Sequence, residues 1–281
     1  MTARPALTGP AGTETSCPAR NGRESLRAGG GEAGQAAGNA PGRTAGRGPA
    51  GAADDEYAGA AGGEVMALRP LLAAAGLGLG VAAVCEPGPE PAGPAEAAAA
   101  ASMPPKRRLE FLAGRRAARR ALRAVGLECG EISRSGRLPV FPPGRAASIS
   151  HSAGIAVAVA RAPGLDLPLG CDLELRPLPR GAARLVLHAD EEALLGTGAQ
   201  AWSVTDLFSA KEAAWKAALV GPDGEHPAGP VGSLRGLWAR PDGDGLRVCL
   251  RAAPAHAVRV RVVRVGAGVF SYVAGRADAH G

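Results

Sequence analysis

Leu169, Cys171, Leu173 and Leu175 alternate with Gly170, Asp172, Glu174 and Arg176, and this alternation constrains the chain more tightly than any other feature. Period two is the signature of a strand with one buried face, so Asp172 and Glu174 emerge on the same side. Farther along, Ser203-Val204-Thr205-Asp206 forms a capping box. It opens a helix predicted to run through good helix formers to Gly221. On that helix Glu212 and Lys216 are four apart and share a face, while Lys211 lies to one side with Trp215 beneath it.

Taken singly, each element has an ordinary account. Asp172 and Glu174 would be a polar strand face paired with arginine, and Lys211/Glu212 a helix-surface pair. Taken together, they place three carboxylates and two lysines on two short elements. Three acidic oxygen donors suit a hard cation such as Mg²⁺, and adjacent lysines suit phosphates that the cation also touches. The combination reads as a magnesium and diphosphate site.

The 281 residues do not all read as foldable. From Met1 to about Glu64 the chain is mostly Gly, Ala, Pro and Arg, with Tyr57 its only aromatic and few large aliphatics besides Leu7 and Leu26. Such a segment buries too little apolar surface to offset the entropy of ordering. Residues 1–65 are therefore expected to be a disordered tail, with Met66 as an alternative start. The tail's charges nearly cancel, so the formal net charge of +6 belongs to the remainder and favours an acidic or phosphate-bearing partner. Lys and Arg are not interleaved with aromatics as on a base-stacking surface, which argues against nucleic acid. Cys17, Cys85, Cys129, Cys171 and Cys249 form no CxxC pair. Reduced thiols in a cytoplasmic protein are expected, and a zinc site is not.

The apolar run from Leu71 to Cys85 is short for a spanning helix and rich in glycine. A strand from Val81 to Cys85 entering the core is the preferred reading, with no stable membrane insertion. Pro87 to Ala101 reads as a loop, and Lys106 to Leu122 as a basic helix with Leu109, Leu112, Ala118 and Leu122 inward. Pro139, Pro142 and Pro143 make a rigid extended connection to Ser148-Ile149-Ser150-His151-Ser152 and a strand from Gly154 to Arg161. After a linker at Ala162 to Pro168 and the acidic strand come helices at Gly181 to Leu187 and at Asp190 to Leu195, the latter capped by Asp190. Antiparallel strands follow at Leu237 to Arg240, Leu246 to Arg251, His256 to Val265 and Val269 to Ala274. The fold class is α+β, with an N-terminal lobe over 66–163 and a C-terminal lobe over 164–281 carrying the metal site.

Four motifs in this order resemble the Sfp-type 4′-phosphopantetheinyl transferase family, in the branch that includes enterobactin synthetase component D. They are Arg108…Glu110-Phe111-Leu112-Ala113-Gly114-Arg115…Arg119, then Ser148-Ile149-Ser150-His151-Ser152, then the two acidic motifs. The resemblance implies pseudo-twofold lobes with coenzyme A between them, and Mg²⁺-dependent transfer of its phosphopantetheine arm to a serine of an apo carrier protein. Acyl, peptidyl and aryl carrier proteins of siderophore, polyketide or nonribosomal peptide biosynthesis are the implied partners. By position, Asp172, Glu174 and Glu212 are the implied metal ligands, with Glu212, Lys216 and Asp172 catalytic. Arg108, Arg115, Arg119, Ser150, His151, Lys211 and Lys216 are the implied coenzyme A contacts. Ala147 and Phe141 stand where the family often has Gly and Trp. A monomer is expected.

Two other readings are open. One is a degenerate relative that binds coenzyme A or a carrier protein without transfer. The other is a hydrolase built from Ser150 or Ser152, His151 and Asp172, but no G-x-S-x-G elbow is present and neighbouring strand residues point to opposite sides.

Overall fold

Ile155-Ala156-Val157-Ala158-Val159-Ala160 puts large side chains on one face of a strand and methyl groups on the other, and the fold uses both faces. In the computed structural model, which describes residues 59–87, 90–196, 201–219 and 233–277, this strand is β5 (Ile155–Arg161). It lies between β1 (Leu77–Ala83) and β4 (Ala147–Ser152) in an antiparallel sheet ordered β1-β5-β4. The alanine face packs under the long helix spanning Pro105–Ala124 with Ala113, Ala117 and Ala121, where small side chains allow close approach. The opposite face joins Leu77, Leu79, Leu173 and Phe270 in a second core.

A five-stranded antiparallel sheet, ordered β6-β10-β9-β8-β7, carries the acidic strand β6 (Cys171–Glu174) at one edge. The rest are β7 (Leu237–Asp242), β8 (Gly245–Leu250), β9 (Ala253–Val265) and β10 (Gly268–Arg276). The helix over Val204–Leu219 buries Leu207, Ala210 and Ala214 with Leu237, Leu246, Val248 and Val260 of this sheet. Its start is the expected capping box: Asp206 N donates to Ser203 Oγ at 3.1 Å, and Ser203 N to Asp206 Oδ2 at 2.8 Å. The mixture of helix and antiparallel sheet is α+β.

Several elements differ from expectation for identifiable reasons. A helix over residues 59–67, here α1, buries Ala61 and Val65 in the core shared by the two sheets, so residues 59–65, expected to belong to a disordered tail, are helical. Residues 1–58 lie outside the described residues, as do residues 220–232, which include Gly221, the expected end of the helix that the capping box opens. The run from Leu71 divides into α2 (Arg69–Ala74) and β1, and the strand starts at Leu77 rather than Val81. Glycine is normally unfavourable in a strand, but a Cβ at Gly80 would lie 2.0 Å from Ala117 O, and one at Gly78 2.3 Å from Ala121 O. These glycines let the basic helix settle directly on the strand. The expected loop up to Ala101 contains α3 (Pro94–Ala101), with Gly93 as N-cap, Pro94 opening the first turn and an alanine run of high helix propensity. The basic helix, α4 (Pro105–Ala124), leaves Leu109 exposed and buries Leu112, Ala118 and Leu122. The helix expected from Asp190 is a 3₁₀ segment, Ala189–Leu195, preceded by His188 as its N-cap. Arg180–Ala182 and α5 (Ala183–Val186) form the short helical stretch before it. Among the described residues, Cys85, Cys129, Cys171 and Cys249 are free, and no helix is long and apolar enough to cross a membrane.

Candidate active site

The two sheets meet where β4 runs beside β6, and side chains rather than a backbone ladder join them. Ser148, Ser150 and Ser152 share one face of β4 and are spaced like the amides of β6. Cys171 N donates to Ser148 Oγ at 3.0 Å, Leu173 N to Ser150 Oγ at 3.3 Å, and Leu175 N to Ser152 Oγ at 3.1 Å. His151 and Ile149 consequently point to the other face of β4. A cavity of about 640 Å³, bordered on β4 by Ile149, Ser150 and His151, is walled by α4, β4, β6 and the helix α6 (Val204–Leu219).

The carboxylates expected to act together line this cavity: Asp172, Glu174 and Glu212. Burial raises the pKa of Glu174 to about 7; the Asp172 and Glu212 carboxylates add to the rise and Lys216 opposes it. Burial likewise raises that of Glu212. Asp172 is 3 % exposed, and its Oδ2 is buried without a hydrogen-bond partner. Its Oδ1 accepts from Lys216 Nζ at 2.7 Å and from Ser150 Oγ at 2.8 Å. Burial depresses the Lys216 ammonium, yet Asp172, Cys171 and Glu212 outweigh that and hold its pKa above the ordinary lysine value.

Among the described residues no three His, Cys, Asp or Glu groups are gathered to hold a metal ion as they stand. The cation that Asp172 meets is Lys216. The donor set nonetheless fits a hard cation. Three oxygen-bearing side chains face one cavity, two resist ionisation there, and a buried carboxylate oxygen has no partner.

The opposite wall is basic. Arg107 and Arg115 project from α4, and Arg134 and Arg137 come from the small hairpin of β2 (Ser133–Ser135) and β3 (Leu138–Val140). Arg107 Nη1 donates to His151 Nε2 at 2.6 Å; guanidinium has no acceptor, so that imidazole nitrogen presents its lone pair. Arg115 stacks on Phe111 at 4.5 Å and donates to the carbonyls of Ile132 and Ser133; burial lowers its pKa to about 10. Phe111, Phe208, Pro139 and Ile149 add apolar surface.

Three expected ligand contacts lie off the cavity. Lys211 is fully buried, donating to Val186 O, Leu237 O and Glu191 Oε2 at 3.0, 3.0 and 2.8 Å, so its ammonium is committed to the protein. Arg119 pairs at 2.6 Å with Glu96, a carboxylate of α3 that is 0 % exposed. Arg108 is exposed and does not line the cavity, whereas its neighbour Arg107 does. Arg107, Glu110, Phe111, Gly114 and Arg115 recur at helical spacing, a stripe that was visible in the sequence. Arg134 and Arg137 lie on either side of the turn at Gly136, with φ +56°, and carry no periodic signal in the sequence. The hydrolase constellation is absent: Ser150 bonds Asp172 directly, while His151 faces the other way toward Arg107.

Comparison with known proteins matches these elements to one family. Residues 95–161, spanning α3 to β5 with Arg107 and His151, match the 4′-phosphopantetheinyl transferase N-terminal domain. The chain is 37% identical over 123 residues to enterobactin synthase component D of Escherichia coli O157:H7, covering 42% of this chain and 58% of that protein. It is 36% identical over 117 residues to the Salmonella typhi protein of the same name, 40% of this chain and 48% of that one. With 4′-phosphopantetheinyl transferase Svp of Streptomyces mobaraensis it shares 40% identity over 131 residues, 44% of this chain and 53% of Svp. The chain thus spans about half the length of the curated relatives it matches. Along the segment that supplies Arg107, Arg115 and His151 of the cavity, the chain is similar to 4′-phosphopantetheinyl transferases.

Proposed function

We propose that this protein transfers the 4′-phosphopantetheine arm of coenzyme A to a serine of an apo carrier protein, with Mg²⁺ bound by Asp172, Glu174 and Glu212. The observation that carries this reading is the cavity itself, acidic on the side of β6 and α6, and basic on the side of α4 and the β2–β3 hairpin. A ligand that is a polyanion at one end, with a diphosphate and a cation in the middle, has complementary charge along both walls.

The serine hydroxyl attacks the β-phosphorus, its bond to the bridging oxygen breaks, and 3′,5′-ADP leaves. Bound Mg²⁺ would supply charge neutralisation at the diphosphate. Glu212, held above the ordinary carboxylate range by burial, is suited to accept the serine proton directly or through a water. Lys216 retains its proton and offers positive charge to the diphosphate. Arg107, His151 and Arg115 serve the remaining anionic groups, and Phe111 and Phe208 shield the reacting region from water. Residues 66–163 and 164–281 act as the two lobes, meeting along β4 and β6. A cytoplasmic, monomeric enzyme fits this reading, with partners drawn from siderophore, polyketide or nonribosomal peptide assembly. Carrier proteins of acidic surface would bind less tightly as salt rises.

The test is intact-mass measurement of apo acyl, peptidyl and aryl carrier proteins after incubation with coenzyme A, Mg²⁺ and this protein. A phosphopantetheine adduct is expected on at least one. Absence of an adduct on all three types overturns the reading.

A further inference from the structure

A serine hydroxyl has one hydrogen to donate and two lone pairs to accept with. Ser150 uses all three. Its Oγ donates to Asp172 Oδ1 at 2.8 Å, accepts from Leu173 N at 3.3 Å, and accepts from Lys216 Nζ at 3.3 Å. It is 8 % exposed and borders the cavity beside Asp172, with its side chain on the opposite face of β4 from His151. Hydrogen-bonding capacity exhausted within the protein leaves this hydroxyl nothing to offer a phosphate. Ser148 and Ser152 make the flanking rungs to Cys171 N and Leu175 N, but no bond from either to Asp172 or Lys216 is present.

We propose that Ser150 is a positioning residue, not a ligand contact: it orients Asp172 so that Oδ2 is presented to the cation, and it fixes β6 against β4. This rests on the metal reading above. The argument is geometric. Asp172 has two oxygens, of which Oδ1 is taken by Ser150 and Lys216 and Oδ2 is buried with no partner. Rotation of the carboxylate would break two short bonds, one charge-assisted, so the free oxygen is held in a fixed direction. Ser148 supplies the same kind of backbone rung one step along the strand without touching the carboxylate, which makes it an internal control. Loss of either hydroxyl removes a β6 rung, but only loss of Ser150 removes one of the two bonds that fix Asp172 Oδ1.

The experiment measures Mn²⁺ affinity by electron paramagnetic resonance, and coenzyme A affinity without metal by calorimetry, in wild type, Ser150→Ala, Ser150→Thr and Ser148→Ala. Thermal melts accompany each variant. For Ser150→Ala we expect about tenfold weaker Mn²⁺ binding, with metal-free coenzyme A affinity unchanged. Ser150→Thr, which keeps the hydroxyl, recovers the metal affinity. Ser148→Ala lowers the melting temperature but leaves Mn²⁺ affinity at the wild-type value. Equal Mn²⁺ affinity in wild type and Ser150→Ala overturns the proposal. So does weaker coenzyme A binding by metal-free Ser150→Ala, which would make the serine a ligand contact. Equal losses in the two alanine variants would reduce Ser150 to a structural rung. Should Ser150→Ala not fold, metal affinity in Ser150→Thr and Ser150→Cys decides, strong in the first and weak in the second. Wild type that binds no Mn²⁺ would instead remove the metal reading itself, together with this inference.

Discussion

With its pKa raised to about 7 by burial, then by Asp172 and Glu212 against the opposing Lys216, Glu174 holds a proton that the unfolded chain has already released. The sign follows from linkage. The protonated group contributes stability that is fully present below the unfolded value near pH 4.5, and lost as pH rises through the folded value near 7. Metal-free protein should therefore lose stability across that window. Glu174→Gln, which cannot ionise, is expected to melt about 2–4 °C above wild type at pH 8 in the presence of chelator. At pH 4.5 the two should coincide. Identical melting at both pH values would show that Glu174 ionises without penalty. Asp172 and Glu212 line the same cavity, Asp172 with a buried unpartnered oxygen and Glu212 with a carboxylate that burial makes more basic, and the proposed chemistry uses both. Asp172→Ala and Glu212→Gln should each lower transfer at least ~10²-fold, with circular dichroism unchanged. Near-normal turnover in either removes that residue from the chemistry.

Elements with strict periodicity were legible in the sequence, and elements whose logic is contact were not. The alternations in β5 and β6 and the capping box of α6 describe strands and a helix whose faces are decided locally. They brought Asp172, Glu174, Glu212 and Lys216 to one cavity as expected. The start of β1 is not legible because Gly78 and Gly80 weaken a strand by local propensity, and the approach of α4 accounts for them. The Pro, Ala and Gly content around α3 favours a loop and conceals Glu96, and without Glu96 nothing in the sequence indicates that Arg119 is engaged inside the protein. The same contact logic yields a paired test. At Gly80 an added methyl would sit 2.0 Å from Ala117 O, on a strand and a helix that cannot both stay in place. Gly80→Ala should cost about 1–3 kcal/mol by urea denaturation. It should also weaken coenzyme A binding, since α4 carries Arg107 and Arg115. At Gly130 an added methyl meets nothing within 4 Å and the backbone is not left-handed, so Gly130→Ala should be neutral or stabilising by up to ~1 kcal/mol. Equal effects at the two glycines would refute the close-packing account of β1.

At the scale of the whole molecule, the core between the two sheets is completed from outside both of them. Ala61 and Val65 of α1 and Leu72 of α2 pack with Leu79 and Val157 from one sheet, and Leu173 and Phe270 from the other. The Glu64 carboxylate accepts a hydrogen bond from Gly266 N at the β9–β10 turn, tying α1 to the far end of the C-terminal sheet. Composition could not reveal this. The window up to residue 65 averages α1 with a long Gly, Ala and Pro run, and two small apolar side chains do not stand out against it. Their burial nevertheless matters, because Val65 is 0 % exposed and removal of a buried side chain costs its transfer free energy together with that of the cavity left behind. Full burial of a valine contributes about 1.5–3 kcal/mol, and about 2–4 °C of melting temperature accompanies each kcal/mol in a domain of this size. A chain beginning at Met66 is therefore expected to melt about 5 °C below one beginning at residue 59. The loss should appear in both sheets at once. Hydrogen exchange at Val157 in β5 and at Phe270 in β10 should accelerate together, since the same apolar core supports both strands. Equal melting temperatures for the two truncations, or faster exchange confined to one sheet, would show that residues 59–65 lie on the core without supporting it.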